Sequence, residues 1–300
     1  MCEHKMKRAV IIGIGILIFG NIFSALYDVS VKWLSDDVNA ATFLLVRQLS
    51  AVLMILPFWL RERAPRSNHI KLHLFRAHVG TSGALLLIMG LMSLPLATVS
   101  SLFYSAPLMI MLMGCLFLKE KMSGAQSVAG LLGFVGILII LRPSEMNMSG
   151  IAVLAGALTF AINQLALKKL PDTESPIVTL MLYNLFSVPI VVVFTIIQGL
   201  SGLSWEVLGL AMVSNAFLLA YQWLSVLAYR KAKASEVAIA EYTGLIFCVF
   251  FGWLWFDEWL DGLSWIGAGF IVLPSLLLPW IFAGVSQRQV TSRIAQMHNN

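Results

Sequence analysis

The sequence predicts an all-α integral membrane protein whose ten transmembrane helices form two inverted five-helix repeats. Three observations support this fold class: the composition is strongly apolar, apolar stretches of bilayer length recur, and the second half repeats features of the first. Of 300 residues, 59% are hydrophobic and 12% charged, about half the charged share of an ordinary soluble domain, and mean hydropathy is +0.86. A soluble chain would need more polar surface to cover such a core, so lipid is expected to cover it instead.

Each apolar stretch is close to the roughly 20 residues that a helix needs to cross the hydrocarbon core. Short connections between them predict one membrane domain, with residues 1–143 as the first repeat, 144–284 as the second and 285–300 as a polar cytoplasmic tail. The basic N-terminus imitates a secretory signal peptide, but the apolar run continues past the possible cleavage site. The helices are expected at about 9–34, 41–60, 76–94, 97–118, 124–141, 150–168, 176–198, 205–229, 235–256 and 263–283.

The basic residues predict the orientation of these helices. With the N-terminus in the cytoplasm, all but three of the 20 Lys and Arg residues fall on the cytoplasmic side, and Arg76 is placed there at a helix end. Arg142 falls outside, and Lys32 and Arg47 lie in or near the membrane. This positive-inside bias predicts a plasma or bacterial inner membrane with both termini cytoplasmic. Because the charges are scattered over short loops, the net charge of +5 does not indicate a nucleic-acid-binding surface.

The second half of the chain repeats the first. LATVSSLFYSAPLMIMLMGCLFLKEKMSG (96–124) aligns with ASEVAIAEYTGLIFCVFFGWLWFDEWLDG (234–262) at an offset of 138 residues, which pairs Tyr104 with Tyr242 and Glu120 with Glu258. Five helices per half is an odd number, so the second half must enter the membrane from the opposite side. Inverted repeats are typical of secondary transporters, whose substrate site lies near the midplane between the halves. A duplicated scaffold without transport is the alternative.

Ionisable side chains in the membrane core cost about 2.5–3.5 kcal/mol to insert, so each needs a reason. Glu241 lies about two turns into the predicted ninth helix. It is expected either to be a cavity carboxylate that binds a cationic group or a proton, or to lie near the interface and pair with Lys231 or Lys233. The ionisable candidates in or near the predicted core are Asp28, Lys32, Arg47 and Glu241.

Asp28 and Lys32 are four residues apart and share one face of the first helix. They are expected to form an ion pair at the outer mouth, to gate the cavity or contact substrate, or to anchor the helix at the interface. Arg47, about a turn and a half into the second helix, is expected to pair with Asp28 or to face an anionic substrate group. Asp28, Lys32 and Arg47 are therefore the candidates for gating or ion pairing.

Uncharged side chains add candidates for substrate binding. Tyr104 and Tyr242 occupy equivalent positions of the repeat and would frame a central site with hydroxyl groups and aromatic faces. Trp223 offers an aromatic face to a cationic amine. Several polar side chains inside the helices are expected either to bind substrate or to link helices by hydrogen bonds: Asn163, Gln164, Tyr183, Asn184 and Gln222.

The sequence offers little for catalysis, metal binding or nucleotide hydrolysis. His69 and His73 have the i,i+4 spacing of metal ligands, but they fall in a predicted basic loop without a carboxylate partner, so no metal site is expected. There is no GxxxxGK motif for ATP and no readable Ser-His-Asp or Cys-His arrangement. The three cysteines have neither the number nor the spacing of a disulfide framework. We therefore expect neither an enzyme nor a cofactor.

One stretch, LPLATVSSLFYSAPLMIMLMGCLFLKEKMSGAQSVAGLLGFVGILIILRP (94–143), resembles the fourth and fifth helices of EamA-type members of the drug/metabolite transporter superfamily. RQLSAVLMILP (47–57) is similar to the second helix of that family. The second half departs from the pattern, because Leu245 stands where Pro107 would place a proline. The resemblance implies a cavity between helices 1, 3, 4, 6, 8 and 9. The opening SALYDVSVKW (24–33) is similar to members that carry S-adenosylmethionine or amino acids.

These observations predict a secondary transporter that moves a small metabolite across the inner membrane by alternating access. An amino acid, an S-adenosylmethionine-like zwitterion or an organic cation is the expected substrate; coupling to a proton or a counter-substrate, and oligomerisation, stay open. The alternatives are a channel, a structural or receptor-like subunit, or a carrier for an anionic or sugar-linked metabolite. The predicted substrate-binding residues are Asp28, Tyr104, Asn163, Gln222, Trp223, Glu241 and Tyr242.

Overall fold

The computed structural model describes residues 2–34, 37–63, 65–120, 124–141 and 147–274. Every regular element in these ranges is an α-helix, as predicted. The predicted tail 285–300, the end of the tenth predicted helix at 275–283 and Arg142 lie outside the described residues. The helices are α1 (Cys2–Lys32), α2 (Ala40–Arg61), α3 (Ile70–Ser93), α4 (Leu96–Phe103), α5 (Ala106–Phe117), α6 (Gly124–Leu141), α7 (Met148–Lys168), α8 (Pro176–Gln198), α9 (Trp205–Lys231), α10 (Ala234–Glu241), α11 (Thr243–Phe256) and α12 (Gly262–Pro274).

Eight segments of the described chain are long and apolar enough to cross a membrane. Six are single helices, and two are pairs of consecutive helices: α4 with α5 over Thr98–Phe117, and α10 with α11 over Glu236–Phe256. The fifth and tenth predicted helices correspond to α6 and α12, which are not among these eight. Large apolar side chains such as Leu53, Leu116 and Ile196 are mostly exposed, as expected for a surface in contact with lipid. The chain is a multi-pass membrane protein.

Short polar residues fix where several helices begin. Asn39 accepts a hydrogen bond from the Thr42 N–H at 2.7 Å, and Ser204 accepts one from Val207 N–H at 3.2 Å. Such N-caps satisfy backbone donors that the first helical turn leaves without a partner. Asn147 and Ser175 cap α7 and α8 in the same way. The capping residues lie in the loops, so the apolar segments between them remain continuous.

The fourth and ninth predicted helices are both interrupted in the middle. The break between α4 and α5 falls at Tyr104 and Ser105, and Pro107 in the first turn of α5 favours a new helix start there. The break between α10 and α11 falls at Tyr242, where no proline is present. There the Asn21 side chain donates to the Ala240 carbonyl at 2.9 Å and to Thr243 Oγ1 at 3.0 Å. A side chain from α1 thus bridges the break, since it bonds a backbone carbonyl on one side and a side-chain hydroxyl on the other.

Hydrogen bonds define the two ends of the bundle, which we call the Lys32 end and the Lys168 end. At the Lys32 end, α1 and α3 finish side by side, since Lys32 Nζ donates to the Leu94 carbonyl at 3.1 Å. At the Lys168 end, α7 finishes beside the junction of α9 and α10, since Lys168 Nζ donates to the Ala232 carbonyl at 2.6 Å. Between the ends α1 packs along α9, α3 along α7 and α2 along α8. Helices of the first half are thus packed mainly against helices of the second.

Candidate functional site

A cavity with charged, polar and aromatic side chains in its wall lies between the two halves of the chain. It encloses about 1130 Å³ of empty space, part of it open to solvent, and residues from α1 to α5 and from α7 to α10 line it. The wall contains two acidic and two basic side chains: Asp28, Glu241, Arg47 and Arg76. Aromatic rings form much of the rest of the wall: Tyr27, Phe103, Tyr104, Phe160, Tyr183 and Tyr221.

Glu241 is the last residue of α10, immediately before the helix break, and it is 4% exposed. The hydroxyl of Tyr221 donates to its two carboxyl oxygens at 3.2 Å each, and Tyr229 donates to Oε1 at 3.2 Å. Neither Lys231 nor Lys233 is its partner, so the interfacial alternative does not describe its surroundings. No basic side chain of the described chain lies within ion-pair distance of this carboxyl group. A cation or a proton would therefore neutralise a charge that only uncharged hydrogen-bond donors, Tyr221, Tyr229 and Gln164, stabilise in the described structure.

Asp28 and Lys32 do not share the ion pair that their spacing suggested. Lys32 Nζ lies 2.8 Å from Glu258 Oε1, two residues beyond α11, and both side chains are largely buried. Asp28 is half-buried on the cavity wall and accepts a hydrogen bond from the Cys248 thiol at 3.6 Å. The two α1 residues therefore belong to separate groups: Asp28 faces the cavity, and Lys32 joins α1 to α11 at the Lys32 end.

Arg47 reaches the cavity, but its partner is not Asp28. Its Nη1 donates to the Tyr27 hydroxyl at 2.6 Å, and its guanidinium carbon lies 5.6 Å from the Tyr27 ring centroid. Gln48, the next residue, donates to Asn184 Oδ1 in α8 at 2.5 Å. Tyrosine thus holds the Arg47 guanidinium in place of a carboxylate.

The predicted position of Arg76 is wrong. It was expected at the cytoplasmic edge of the third helix, but α3 begins at Ile70, so Arg76 lies almost two turns inside and is 4% exposed. Its Nε donates to Asn163 Oδ1 at 3.2 Å, and its guanidinium carbon lies 5.7 Å from the Tyr183 ring centroid. The apolar residues at 70, 72, 74 and 75 indicate an earlier helix start, which the basic residues among them obscured.

The remaining predicted binding residues separate into two groups. Tyr104, Asn163 and Gln222 line the cavity, and the Gln222 Oε1 acceptor is buried without a hydrogen-bond partner in the described structure. Trp223 and Tyr242 are not among the described residues of the cavity wall. Trp223 is 40% exposed on the other face of α9, and Tyr242 is buried with its hydroxyl against Gly133 of α6. The two equivalent tyrosines therefore do not frame one site.

A second polar cluster lies at the Lys168 end and reaches the cavity wall through Thr179. His73 Nε2 is 2.9 Å from Glu174 Oε1, so His73 has a carboxylate partner, contrary to the prediction. Ser67 and Thr179 also donate to this carboxylate. Burial alone would raise the pKa of Glu174, but the hydrogen bonds from His73, Ser67 and Thr179 and the charge of His73 outweigh it and lower the pKa to about 2. The described residues include no group of three or more potential metal ligands.

Comparisons with known proteins agree with this architecture. The model of the EamA-like transporter family matches twice, over residues 11–142 and 148–279. A riboflavin transporter of Rhizobium johnstonii is 29% identical over 91% of this chain and 92% of its own, and a riboflavin transporter of Vibrio cholerae is 29% identical over 78% and 80%. An S-adenosylmethionine uptake transporter of Rickettsia bellii is 23% identical over 89% and 92%.

A solved crystal structure shares the fold. It superposes with a TM-score of 0.63 at 15% identity, over 89% of this chain and 96% of its own, and at that identity the likeness concerns the fold alone. The double family match covers nearly the whole chain, and its two segments correspond to the two halves that pack around the cavity. The chain belongs to the EamA-like transporter family, within the drug/metabolite transporter superfamily.

Proposed function

We propose that this protein is a secondary transporter that carries a small metabolite through the cavity by alternating access. The observation that carries the proposal is the cavity itself, which lies between the two halves and holds two carboxyl and two guanidinium groups on one aromatic wall. Buried ionisable groups in a membrane are costly and are retained where they bind or relay charge. A purely structural subunit would not need four buried ionisable groups around a cavity.

Contacts at the two ends support the inverted repeat on which alternating access depends. Lys32 and Leu94 are joined at the Lys32 end. SVKWLSDD (30–37) aligns with ALKKLPDT (166–173) at an offset of 136, which pairs Lys32 with Lys168, and the offset of 138 pairs Leu94 with Ala232. These equivalent residues are joined at the Lys168 end. The packing of α1 along α9 has its equivalent in the packing of α7 along α3. A pseudo-two-fold relation of this kind gives each half the same contacts at opposite ends, so a rocking motion could open one end while closing the other. Residues 1–143 and 144–284 would be the two moving halves.

The cavity wall suits a substrate that carries charges and a ring. Glu241 and Asp28 would take a cationic or proton-donating part of the substrate, and the aromatic residues would contact an apolar ring. The relatives named for S-adenosylmethionine and riboflavin transport also support a small metabolite as the substrate. We favour a zwitterion such as an amino acid or an S-adenosylmethionine-like compound, with a flavin as the second candidate because of the riboflavin transporters. In this proposal Glu241 binds the amine or couples transport to a proton.

Flux into proteoliposomes tests the proposal. Labelled S-adenosylmethionine, riboflavin, amino acids and choline would each be offered with and without a pH gradient, to wild type, Glu241→Gln and the exposed control Glu206→Gln. We expect saturable uptake of one compound class, lost in Glu241→Gln and kept in Glu206→Gln. Uptake that Glu241→Gln retains at every pH would remove Glu241 from the mechanism. No uptake of any compound would favour a channel or a subunit without transport activity.

The positive-inside bias supports a bacterial inner or plasma membrane with both termini in the cytoplasm. Fusions to a reporter enzyme that is active only on the periplasmic or extracellular side would test this orientation. The reporter should be active in the predicted outer loop at residues 199–204 and inactive at Asn300. Activity at Asn300 instead would reverse the proposed topology.

A further inference from the structure

Two guanidinium groups of the cavity have no carboxylate beside them. Arg47 and Arg76 are 3% and 4% exposed and both line the cavity. Among the described residues no acidic side chain lies within ion-pair distance of either group. Glu174 interacts electrostatically with Arg76, but its direct partners are His73, Ser67 and Thr179. A buried guanidinium without a carboxylate in contact is costly in a protein and more so in a membrane, so the site is expected to be completed by water or by an anion that enters it.

Each guanidinium also keeps an N–H donor unused. Arg47 Nε and Arg76 Nη1 are buried and have no hydrogen-bond partner among the described residues, although Tyr27 and Asn163 accept from other nitrogens of the same side chains. Arginine presents its donors in a planar fork that matches the paired oxygens of a carboxylate or a phosphate. The unused donors are therefore of the kind that binds such an anion.

Tyrosine rings hold both guanidinium groups without neutralising them. Arg47 lies over Tyr27 at 5.6 Å and Arg76 over Tyr183 at 5.7 Å, and Tyr183 interacts electrostatically with both arginines. Cation–π packing restricts the position of a guanidinium and leaves its full positive charge in place. Gly80 of α3 faces Tyr183, and a Cβ there would collide with the Tyr183 hydroxyl. Each arginine thus packs against its own tyrosine ring, and the electrostatic interaction of Tyr183 with both places them in the same part of the cavity.

We propose that Arg47 and Arg76 form an anion-binding subsite, and that the transported substrate carries a carboxylate or phosphate group that binds there. Glu241 and Asp28, elsewhere on the same wall, would receive the cationic or hydrogen-bond-donating part of the same molecule. That this anion is part of a transported substrate rests on the proposed function. The subsite itself is a property of the cavity and is testable by binding alone.

The test is the thermal stabilisation of the purified full-length protein by matched compounds. Phenylalanine is compared with phenylalaninamide to isolate a carboxylate, and riboflavin 5′-phosphate with riboflavin to isolate a phosphate. Inorganic phosphate and acetate, each against chloride, serve as simple anions. At least one anion should stabilise wild type, and its counterpart without that group should bind about tenfold more weakly or worse. Which pair discriminates tells a carboxylate site from a phosphate site.

Four variants locate the effect. Arg47→Gln and Arg76→Gln should lose the preference for the anionic member, whereas Arg76→Lys, which keeps the charge but not the fork, should retain part of it. Arg61→Gln removes an exposed arginine from the same helix as Arg47 and should leave the preference unchanged. The unfolding temperature without ligand and the elution volume in size-exclusion chromatography show which variants fold. If a glutamine variant does not fold, Arg76→Lys replaces it in the comparison.

Binding and flux together separate the two proposals. The subsite is wrong if no anion stabilises wild type, or if folded Arg47→Gln and Arg76→Gln keep the preference. Saturable flux without any anion preference would leave the transporter standing and remove the subsite. An anion preference that the arginine variants abolish, without flux of any compound, would leave the subsite standing and remove the transport function.

Discussion

Glu258 caps the first turn of α4 from the other half of the molecule, because its Oε2 accepts a hydrogen bond from the Leu96 backbone N–H at 2.7 Å. At the other end of the bundle, Glu120 Oε1 accepts from the Ala234 N–H at 3.0 Å, at the start of α10. A carboxylate at a helix N-terminus satisfies a free donor and interacts favourably with the helix dipole. Each glutamate therefore fixes the start of a short helix that ends at one of the two breaks beside the cavity.

Replacing either glutamate should destabilise the fold. Glu258→Gln loses the ion pair with Lys32 and weakens the cap, and we expect it to lower the free energy of unfolding by about 1–3 kcal/mol, with Glu120→Gln similar. Thermal unfolding in detergent measures the change. Glu206→Gln, an exposed substitution in the first turn of α9, is the control. A Glu258→Gln protein as stable as that control would show that the cap contributes nothing.

Asn21 should be essential to the break between α10 and α11. Asn21→Ala removes the donor to the Ala240 carbonyl and to Thr243 Oγ1. Thr243 Oγ1 still donates to that carbonyl at 2.8 Å, so the expected cost is that of the lost buried hydrogen bonds, about 1–2 kcal/mol. Ser30→Ala, in the same helix, removes only a hydrogen bond to the Leu26 carbonyl one turn earlier and should cost far less. Thermal unfolding of the two variants side by side checks the difference, and equal losses would contradict the role of Asn21.

Gly80→Ala should disturb the cavity through Tyr183. The new methyl group would collide with the Tyr183 hydroxyl, so the ring that lies against Arg76 has to move, at a cost of about 1–3 kcal/mol. Gly15→Ala, in α1, meets no atom within 4 Å and is the matched control. The unfolding temperature and the proteoliposome flux should both fall for Gly80→Ala and should not fall for Gly15→Ala. Adding Tyr183→Phe, which removes the closest atom, should restore part of the stability.

The Glu174 cluster predicts a loss of stability in acid. The pKa of Glu174 is lowered from 4.5 to about 2 in the folded protein, so its ionised form stabilises the fold fully above pH 4.5 and this contribution is lost as the pH falls towards 2. The difference in unfolding temperature between wild type and Glu174→Gln should therefore be largest near neutral pH and shrink by about half near pH 3. Glu206→Gln should show no such trend. A constant gap for Glu174→Gln would mean that its charge does not matter.

The family and most of the membrane-spanning segments could be predicted from the sequence. Hydropathy over a helix-length window is a local property, so the spans containing Asp28, Arg47 and Glu241 were evident before any contact was known. The repeat that relates Tyr104 to Tyr242 likewise needs only an alignment. Trp223 shows where local information ends, since Gln222 beside it lines the cavity and Trp223 does not: the rotation of a helix about its axis depends on the helices packed against it.

By itself the sequence determined an all-helical, duplicated membrane protein with a few ionisable residues inside it, because chain length, apolarity and repetition are written along the chain. The tertiary structure alone decided which of these residues meet. Lys32 pairs with Glu258 of the other half, and Asp28 lines the cavity instead of pairing with Lys32. Arg76, which was expected at a helix edge, is part of the cavity wall. The physical reason is that a charge in the membrane is placed by its partners, and those partners come from helices distant in the chain.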